Sequence, residues 1–354
     1  MLIDKFLNTY SAETKIFLDD FNKNYDFKMI EKSLHDLNNL NVLIVGDGIV
    51  DEYHYCEPMG KSPKSNVIVN KYLENEVFAG GAFAIANHVT GLCNKVNLVT
   101  LLGKENSRED FISRSLKSNI DTKFFFRDDG PTIIKKRYVH NYSGQKLFEV
   151  NFINDRFIKD DLEQQVVDYF ESIVSSYDLV LVSDFGHGFI TEKIFNTIEK
   201  NSKILAINTQ TNAANNGYNL ITKYHNPNYV CLDESEVRLA AQDKHSNIEV
   251  VAKKIRESIN AHYLIVTMGK SGSIGVSQDG MINRTPVFST KVVDTIGAGD
   301  AFFSFTAPCF AGGLPLDLVS FLGNTVGALA VQIVCNKRAI EKDELLEFIN
   351  ALVK

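Results

Sequence analysis

The sequence predicts an α/β fold: a doubly wound, mostly parallel sheet with helices on both faces and a small inserted β-sheet that would act as a lid. Three observations carry this reading. Short, continuous apolar runs recur along the chain, each ending in a turn. Amphipathic stretches of helical period separate them, and unalternated strands that alternate with helices belong to a parallel sheet covered on both sides. Two segments, residues 52–72 and 122–152, break this rhythm with alternating, β-branched and aromatic residues, a pattern that suits a small antiparallel sheet.

Residues 1–40 mix charges with Phe6, Phe17, Leu18, Phe21, Ile30, Leu34 and Leu37 near a helical period, which predicts a helical N-terminal extension. From residue 41 to 354 no Pro/Gly/Ser-rich linker divides the chain, so one main domain is expected. Its first strand is Val42-Leu43-Ile44-Val45, running into Gly46-Asp47. The same grammar returns at residues 98–103, at 179–182 before Ser183-Asp184, at 204–208, and at 264–267 before Met268-Gly269. Helices are expected over 160–175, 191–200 and 247–260. The most apolar stretch, 301–334, is broken by Pro308, Gly312, Gly313, Pro315, Asp317 and Asn324, which suits two core helices rather than a membrane span. Ligands of such folds sit beyond the carboxyl ends of the strands, so Asp47, Asp51 and Asp184 lie at the expected rim.

With 44% hydrophobic and 23% charged residues among 354, the chain has the make-up of a globular protein with a large core. Its formal charge of -7 offers no general attraction to nucleic acid or anionic lipid. The N-terminus starts polar, without the basic stretch and apolar core of a signal peptide, so a cytoplasmic protein is expected. Cys56, Cys93, Cys231, Cys309 and Cys335 are scattered and form no CxxC pair, which points to buried free thiols. His54, His88, His140 and His187 show no metal-ligand spacing.

The sharpest motif is Asp294-Thr295-Ile296-Gly297-Ala298-Gly299-Asp300, followed by an apolar helical run. A Gly-Ala-Gly turn opening a helix lets backbone N–H groups converge, and with the helix dipole this makes an anion site. Asp300 could simply complement that dipole. A carboxylate beside an anion hole is also the layout of phosphoryl transfer, where a base takes the hydroxyl proton while N–H groups stabilise the transferred group.

Residues 294–300 resemble the C-terminal signature of the ribokinase-like (PfkB) sugar kinases, and other segments agree in order over roughly 41–354. Val45-Gly46-Asp47 with Asp51 resembles the family's first strand and sugar-binding acids, and Ala79-Gly80-Gly81-Ala82 its di-glycine motif. Val266-Thr267-Met268-Gly269 with Gly272 resembles its nucleotide-binding turn, and Asp233-Glu234-Ser235-Glu236 its element near magnesium. Within the family the chain is most similar to bacterial heptose-phosphate kinases, through residues 46–53, 131–137 and 183–188. It departs from them at Ala84, usually Asn; at Ile134, usually Thr; at His187, usually Lys; and at Asn208-Thr209-Gln210, usually Asp-Pro-Lys. These departures touch sugar recognition and phosphate contact more than the base.

The resemblance implies ATP-dependent phosphorylation of a sugar or sugar phosphate, among them a heptose phosphate, with ATP and Mg2+ as cofactors. Asp300 becomes the general base, and Gly297, Ala298 and Gly299 the anion hole. Asp47 and Asp51 would bind sugar hydroxyls or else cap the following turns, and Gly80 and Gly81 would let backbone approach the sugar or simply make a tight turn. Lys135 and Arg137 alternate and so share a strand face, where they meet either a substrate phosphate or solvent. Asn208, Thr267, Gly269, Gly272 and Asn324 would line the nucleotide. Glu236, with Asp233, would organise water around magnesium, unless Asp233 is a helix cap. A homodimer through the lid edge is expected. Two alternatives stay open: a fructokinase- or ribokinase-like enzyme acting on a free sugar, and a catalytically silent sugar- or nucleotide-binding module partnering a nucleotidyltransferase.

Overall fold

Alternate residues of the first core strand point into two different cores. The computed structural model describes residues 10–289 and 291–353, and in it strand β1 (Asn41–Gly46) sends Val42 and Ile44 into one apolar cluster and Leu43 and Val45 into another. A strand buried on both faces has no place for polar alternation, which is why these runs are continuously apolar. β1 pairs in parallel with β4 (Lys95–Glu105), which pairs in parallel with β5 (Ile120–Pro131). On its other side follow β8 (Leu179–Asp184), β9 (Leu205–Thr209), β10 (Tyr229–Asp233) and β11 (Tyr263–Thr267), all parallel. The antiparallel hairpin β12 (Ser273–Ser277) and β13 (Ile282–Thr285) completes this edge, giving nine strands among the described residues. Its turn contains Asp279-Gly280, with Gly280 at φ 84°, the backbone that a tight hairpin requires.

One face of the sheet is covered by α3 (Ala82–Val89), α4 (Glu109–Ser115), α9 (Ala298–Ala311), α10 (Leu316–Ala330) and α11 (Lys342–Leu352). The other is covered by α5 (Asp160–Ile173), α6 (Glu192–Asn201), α7 (Glu234–Ala241) and α8 (Ile248–Ser258). α9 and α10 are the two helices expected in the apolar stretch, parted at Gly312-Gly313. Two N-terminal helices, α1 (Ala12–Phe21) and α2 (Phe27–Asp36), are capped by Ser11 and Asp26, whose side chains accept the Thr14 and Met29 amides. They join the first core: Phe21 stacks on Phe321 of α10 at 4.1 Å, and Tyr25 donates to Asp317 at 2.7 Å. Residues 1–9 of the expected extension lie outside the described residues.

The second sheet has the order β3-β2-β6-β7, formed by β2 (Gly48–Lys61), β3 (Ile68–Gly81), β6 (Ile133–His140) and β7 (Lys146–Phe152). It differs from the expectation in two ways. Residues 120–131, grouped with the inserted sheet from 122 onward, form the edge strand of the large sheet, where Phe125 packs into its second core. The small sheet is mixed, because β2 and β6 run parallel. β6 enters from the end of β5, on the same side as the exit of β1, and so runs alongside β2 in the same direction. All five cysteines are buried free thiols. Among the described residues no helix is long and apolar enough to cross a membrane.

Candidate active site

The carboxyl ends of the parallel strands, the root of the small sheet and the N-terminus of α9 meet at one place, and it is acidic. Asp47, directly after β1, is 1% exposed. Its Oδ2 accepts the Phe185 and His187 amides at 2.9 and 3.3 Å, while its Oδ1 has no partner among the described residues. Burial, and then Asp184, push its carboxyl up to about 7. Asp184 closes β8 and is held by Tyr224 and by the Lys223 ammonium at 2.5 Å. Asn212, Asn215 and Asn219 donate to the carbonyls of Phe185 and Asp184 and so pin the turn that wraps Asp47.

Asp51 lies on β2 beside Lys135 of β6, with which it shares a register position. Arg137, two residues on, pairs with Asp51 and also with Glu149 at 2.7 Å. Lys135 is buried, has no hydrogen-bond partner among the described residues, and holds its ammonium 5.6 Å over the Phe185 ring. Burial lowers its pKa, against the pull of Asp51. Lys135 and Arg137 thus share a face, but Arg137 is committed to two carboxylates. The di-glycine makes room for the acids. A Cβ on Gly80 would lie 2.0 Å from Asp51 Oδ2, and one on Gly81, at φ 55°, would lie 2.4 Å from the Asp47 carbonyl.

Gly297 caps α9 at φ 85°. A side chain there would strike Asn336 as well as strain the backbone. Ala298 and Gly299 follow in the first turn, with open space where a Cβ of Gly299 would stand. The Ala298 amide, expected in the anion hole, instead donates to the Thr295 carbonyl at 3.3 Å, which leaves the amides of Gly297 and Gly299 for an anion beside that open space. Asp300, in the same turn, is 7% exposed and accepts Gln210 Nε2 at 2.8 Å. Burial, then the charge of Asp51, push it up to about 7, while Gln210 and Lys135 pull the other way. Asp294 ties the motif to the small sheet. It accepts Lys146 Nζ at 2.7 Å, the Tyr53 hydroxyl at 3.0 Å and the Cys335 amide at 3.2 Å. Burial alone would raise its pKa, but Lys146, the Ile296 amide and Tyr53 hold it below the usual range.

The remaining expected residues line the adjoining strand ends. Thr267 ends β11, Gly269 and Gly272 turn the chain at φ 53° and 78°, and a Cβ on Gly272 would lie 2.0 Å from the Thr285 carbonyl. Asn208 Nδ2 donates to the Cys231 carbonyl at 2.8 Å and leaves its Oδ1 unpaired. Asn324 donates to Ser273 at 2.6 Å and to the Ser320 carbonyl, so it is satisfied within the packing of α10 on β12.

Asp233 and Glu236 form a capping box. Asp233 accepts the Ser235 amide, and Glu236 accepts the amides of Asp233 and Thr211 at 2.8 and 3.0 Å. Burial pushes Glu236 up to about 7. Both oxygens of Glu236 are already engaged, and among the described residues no group of three or more His, Cys, Asp or Glu could hold a metal. These residues do not fit as direct magnesium ligands. Gln210 was marked in the sequence only as a departure from the family pattern, and Lys223, Tyr224, Lys146 and Asn336 were not singled out. Each reaches the site from a distant segment, and no local pattern marks it.

The model of the pfkB family carbohydrate kinases matches residues 41–335. The chain is 24% identical over 310 residues to the bifunctional protein HldE of Trichlorobacter lovleyi, covering 86% of this chain and 62% of that protein. It is 25% identical over 311 residues to the protein of the same name from Campylobacter jejuni, covering 87% and 64%. The chain thus spans less than two thirds of the length of these relatives. Among solved structures, phosphofructokinase-2 from Escherichia coli in complex with potassium superposes with a TM-score of 0.72 at 15% identity, over 88% of this chain and 99% of that one. Ribokinase from Thermotoga maritima does so with a TM-score of 0.67 at 19% identity and the same coverage. At such identities the likeness is one of ribokinase-like fold. Together with the family match over most of its length, these findings show that the chain belongs to the pfkB family of carbohydrate kinases.

Proposed function

We propose that this chain transfers the γ-phosphoryl group of ATP to a hydroxyl of a sugar or sugar phosphate, with Asp300 as general base. The observation that carries the reading is the placement of a buried carboxyl, raised to about 7, in the first turn of a helix, next to Gly299, where an added Cβ would meet no atom within 4 Å. A base poised near neutrality takes the hydroxyl proton efficiently. The amides of Gly297 and Gly299 meet charge as it moves with the phosphoryl group, the Ala298 amide being held by the Thr295 carbonyl. Gln210 orients the carboxylate through its bond to Oδ1.

Asp47 and Asp51, with Lys135, bind the acceptor, and Arg137 holds Asp51 in place. Asn208, Thr267, Gly269, Gly272 and Asn324 bind or shape the nucleotide site. Magnesium brought in with ATP would supply charge neutralisation, with Glu236 and Asp233 meeting it through water rather than as direct ligands. Glu236 and Asp233 order the Thr211 amide and the start of α7 beside it. The resemblance to heptose-phosphate kinases and the similarity to HldE proteins make a heptose phosphate one acceptor to test. ADP release across a panel of free and phosphorylated sugars tests the reading. ADP release with none of them, despite ATP binding, would favour a silent binding module.

The small sheet turns Ile68, Tyr72, Phe148, Val150 and Phe152 outward, with Ile68 64% exposed, and an apolar face of this kind suits burial against a second copy. A homodimer is expected by light scattering. A monomer at all concentrations would count against it.

A further inference from the structure

His187 follows the turn that wraps Asp47, donating its backbone amide to that carboxylate at 3.3 Å. Its side chain is 1% exposed, and neither ring nitrogen has a hydrogen-bond partner among the described residues. Buried polar groups are normally paired, and leaving a donor and an acceptor of one ring unpaired is costly. A further buried group beside it lacks a partner, Asp47 Oδ1, and the Lys135 ammonium stands nearby over the Phe185 ring. Such clustering marks a place built for a polar ligand.

The charges facing the ring are Lys135, Asp184 and Asp155. Burial, and then Lys135, hold the imidazole down to about 4, so it is neutral at physiological pH. It therefore offers one N–H donor and one nitrogen acceptor. The other cations nearby are already engaged, Arg137 with Asp51 and Glu149 and Lys223 with Asp184. Lys135 is the one ammonium there without a partner among the described residues, and it stands against Asp47, Asp51 and Asp300. A phosphate dianion offers acceptors only and would meet a site rich in carboxyls. A sugar hydroxyl both donates and accepts, which is what a neutral imidazole requires. The Lys135 charge is near enough to act on both Asp300 and His187.

We propose that His187 determines acceptor specificity by hydrogen-bonding a hydroxyl of an unphosphorylated sugar bound beside Asp47 and Lys135. The proposal rests on the kinase reading and narrows its acceptor. The test uses the full chain with ATP and matched pairs: D-fructose with D-fructose 6-phosphate, D-mannose with D-mannose 6-phosphate, and D-glycero-D-manno-heptose with its 7-phosphate. The free member of the preferred pair should have the higher kcat/KM. His187→Leu should raise the KM of that sugar by about tenfold or more, the consequence of losing one or two buried hydrogen bonds, with the KM for ATP unchanged. His187→Gln, which keeps a donor and an acceptor, should recover part of the loss. His187→Lys should shift the ratio towards the phosphorylated member. A wild-type preference for a phosphorylated sugar, or an unchanged acceptor KM in His187→Leu, overturns the proposal. Should His187→Leu fail to fold, the wild-type ratio and His187→Gln decide. Asp300→Asn, assayed alongside, separates the two readings. Its turnover should collapse with every acceptor if the kinase reading holds, whatever the outcome at His187.

Discussion

Asp300→Asn should move activity and stability in opposite directions. The substitution keeps size and leaves an oxygen for Gln210 Nε2, but removes the group that accepts the acceptor's proton. General-base catalysis contributes roughly 10²- to 10⁴-fold, so kcat should fall by that order while the KM for ATP changes little. Stability follows from burial. A carboxyl lifted from 3.8 to about 7 costs the ionised folded state on the order of 4 kcal/mol relative to the unfolded chain. A favourable helix-dipole interaction returns at most about 1 kcal/mol. The burial penalty wins, so the variant should melt higher than wild type at pH 8. The sign fixes the pH dependence. The raised carboxyl costs nothing when protonated in both states, and the cost grows as pH rises from 3.8 through about 7. The gain should therefore shrink towards pH 5. Steady-state kinetics and thermal melts at both pH values on one preparation provide the test. A near-normal kcat refutes Asp300 as the base. A variant that melts lower at pH 8 refutes the dominance of burial and leaves dipole complementation as the role.

Gly299→Ala should fold normally, because a Cβ there meets no atom within 4 Å, yet lose most turnover by placing a methyl where phosphate approaches the amides. Unimpaired kcat would remove the anion-hole role. Wild-type melting temperature should fall between about pH 6.5 and 7.5, since Asp47, Glu236 and Asp300 are each raised to about 7 and bind protons more tightly folded than unfolded. His88 and His187, lowered to about 3 and 4 from 6.5, oppose this only below about 6.5, where the unfolded chain takes up their protons. A melting temperature that is flat or rising across the window would contradict the buried-acid argument. Phe21→Ala should cost about 3–5 kcal/mol in urea unfolding, as expected for a buried aromatic stacked on Phe321. A loss under about 1 kcal/mol would mean that α1 contributes little to the core.

The sequence by itself determined the α/β architecture, the positions along the chain of five of its seven parallel strands, and the motif from Asp294 to Asp300. These are local signals: uninterrupted apolar runs follow from burial on both faces, and a glycine turn opening a helix is written in consecutive residues. It also placed Lys135 and Arg137 on one face, because strand period decides that. Tertiary structure alone decided which of those groups are committed to others. Arg137 is engaged by Asp51 and Glu149, and Asp233 and Glu236 are occupied as a capping box. Gly80 and Gly81 make room for acids 29 and 34 positions earlier in the chain. The role of residues 120–131 as an edge strand was likewise invisible locally, since aromatic and β-branched residues suit either sheet and only packing against the second core chose between them. Raised carboxyls at Asp47 and Asp300, and an unpaired ring at His187, arise from burial and from charges brought in by distant segments. Desolvation depends on what covers a group in three dimensions, and no spacing of residues along the chain encodes it.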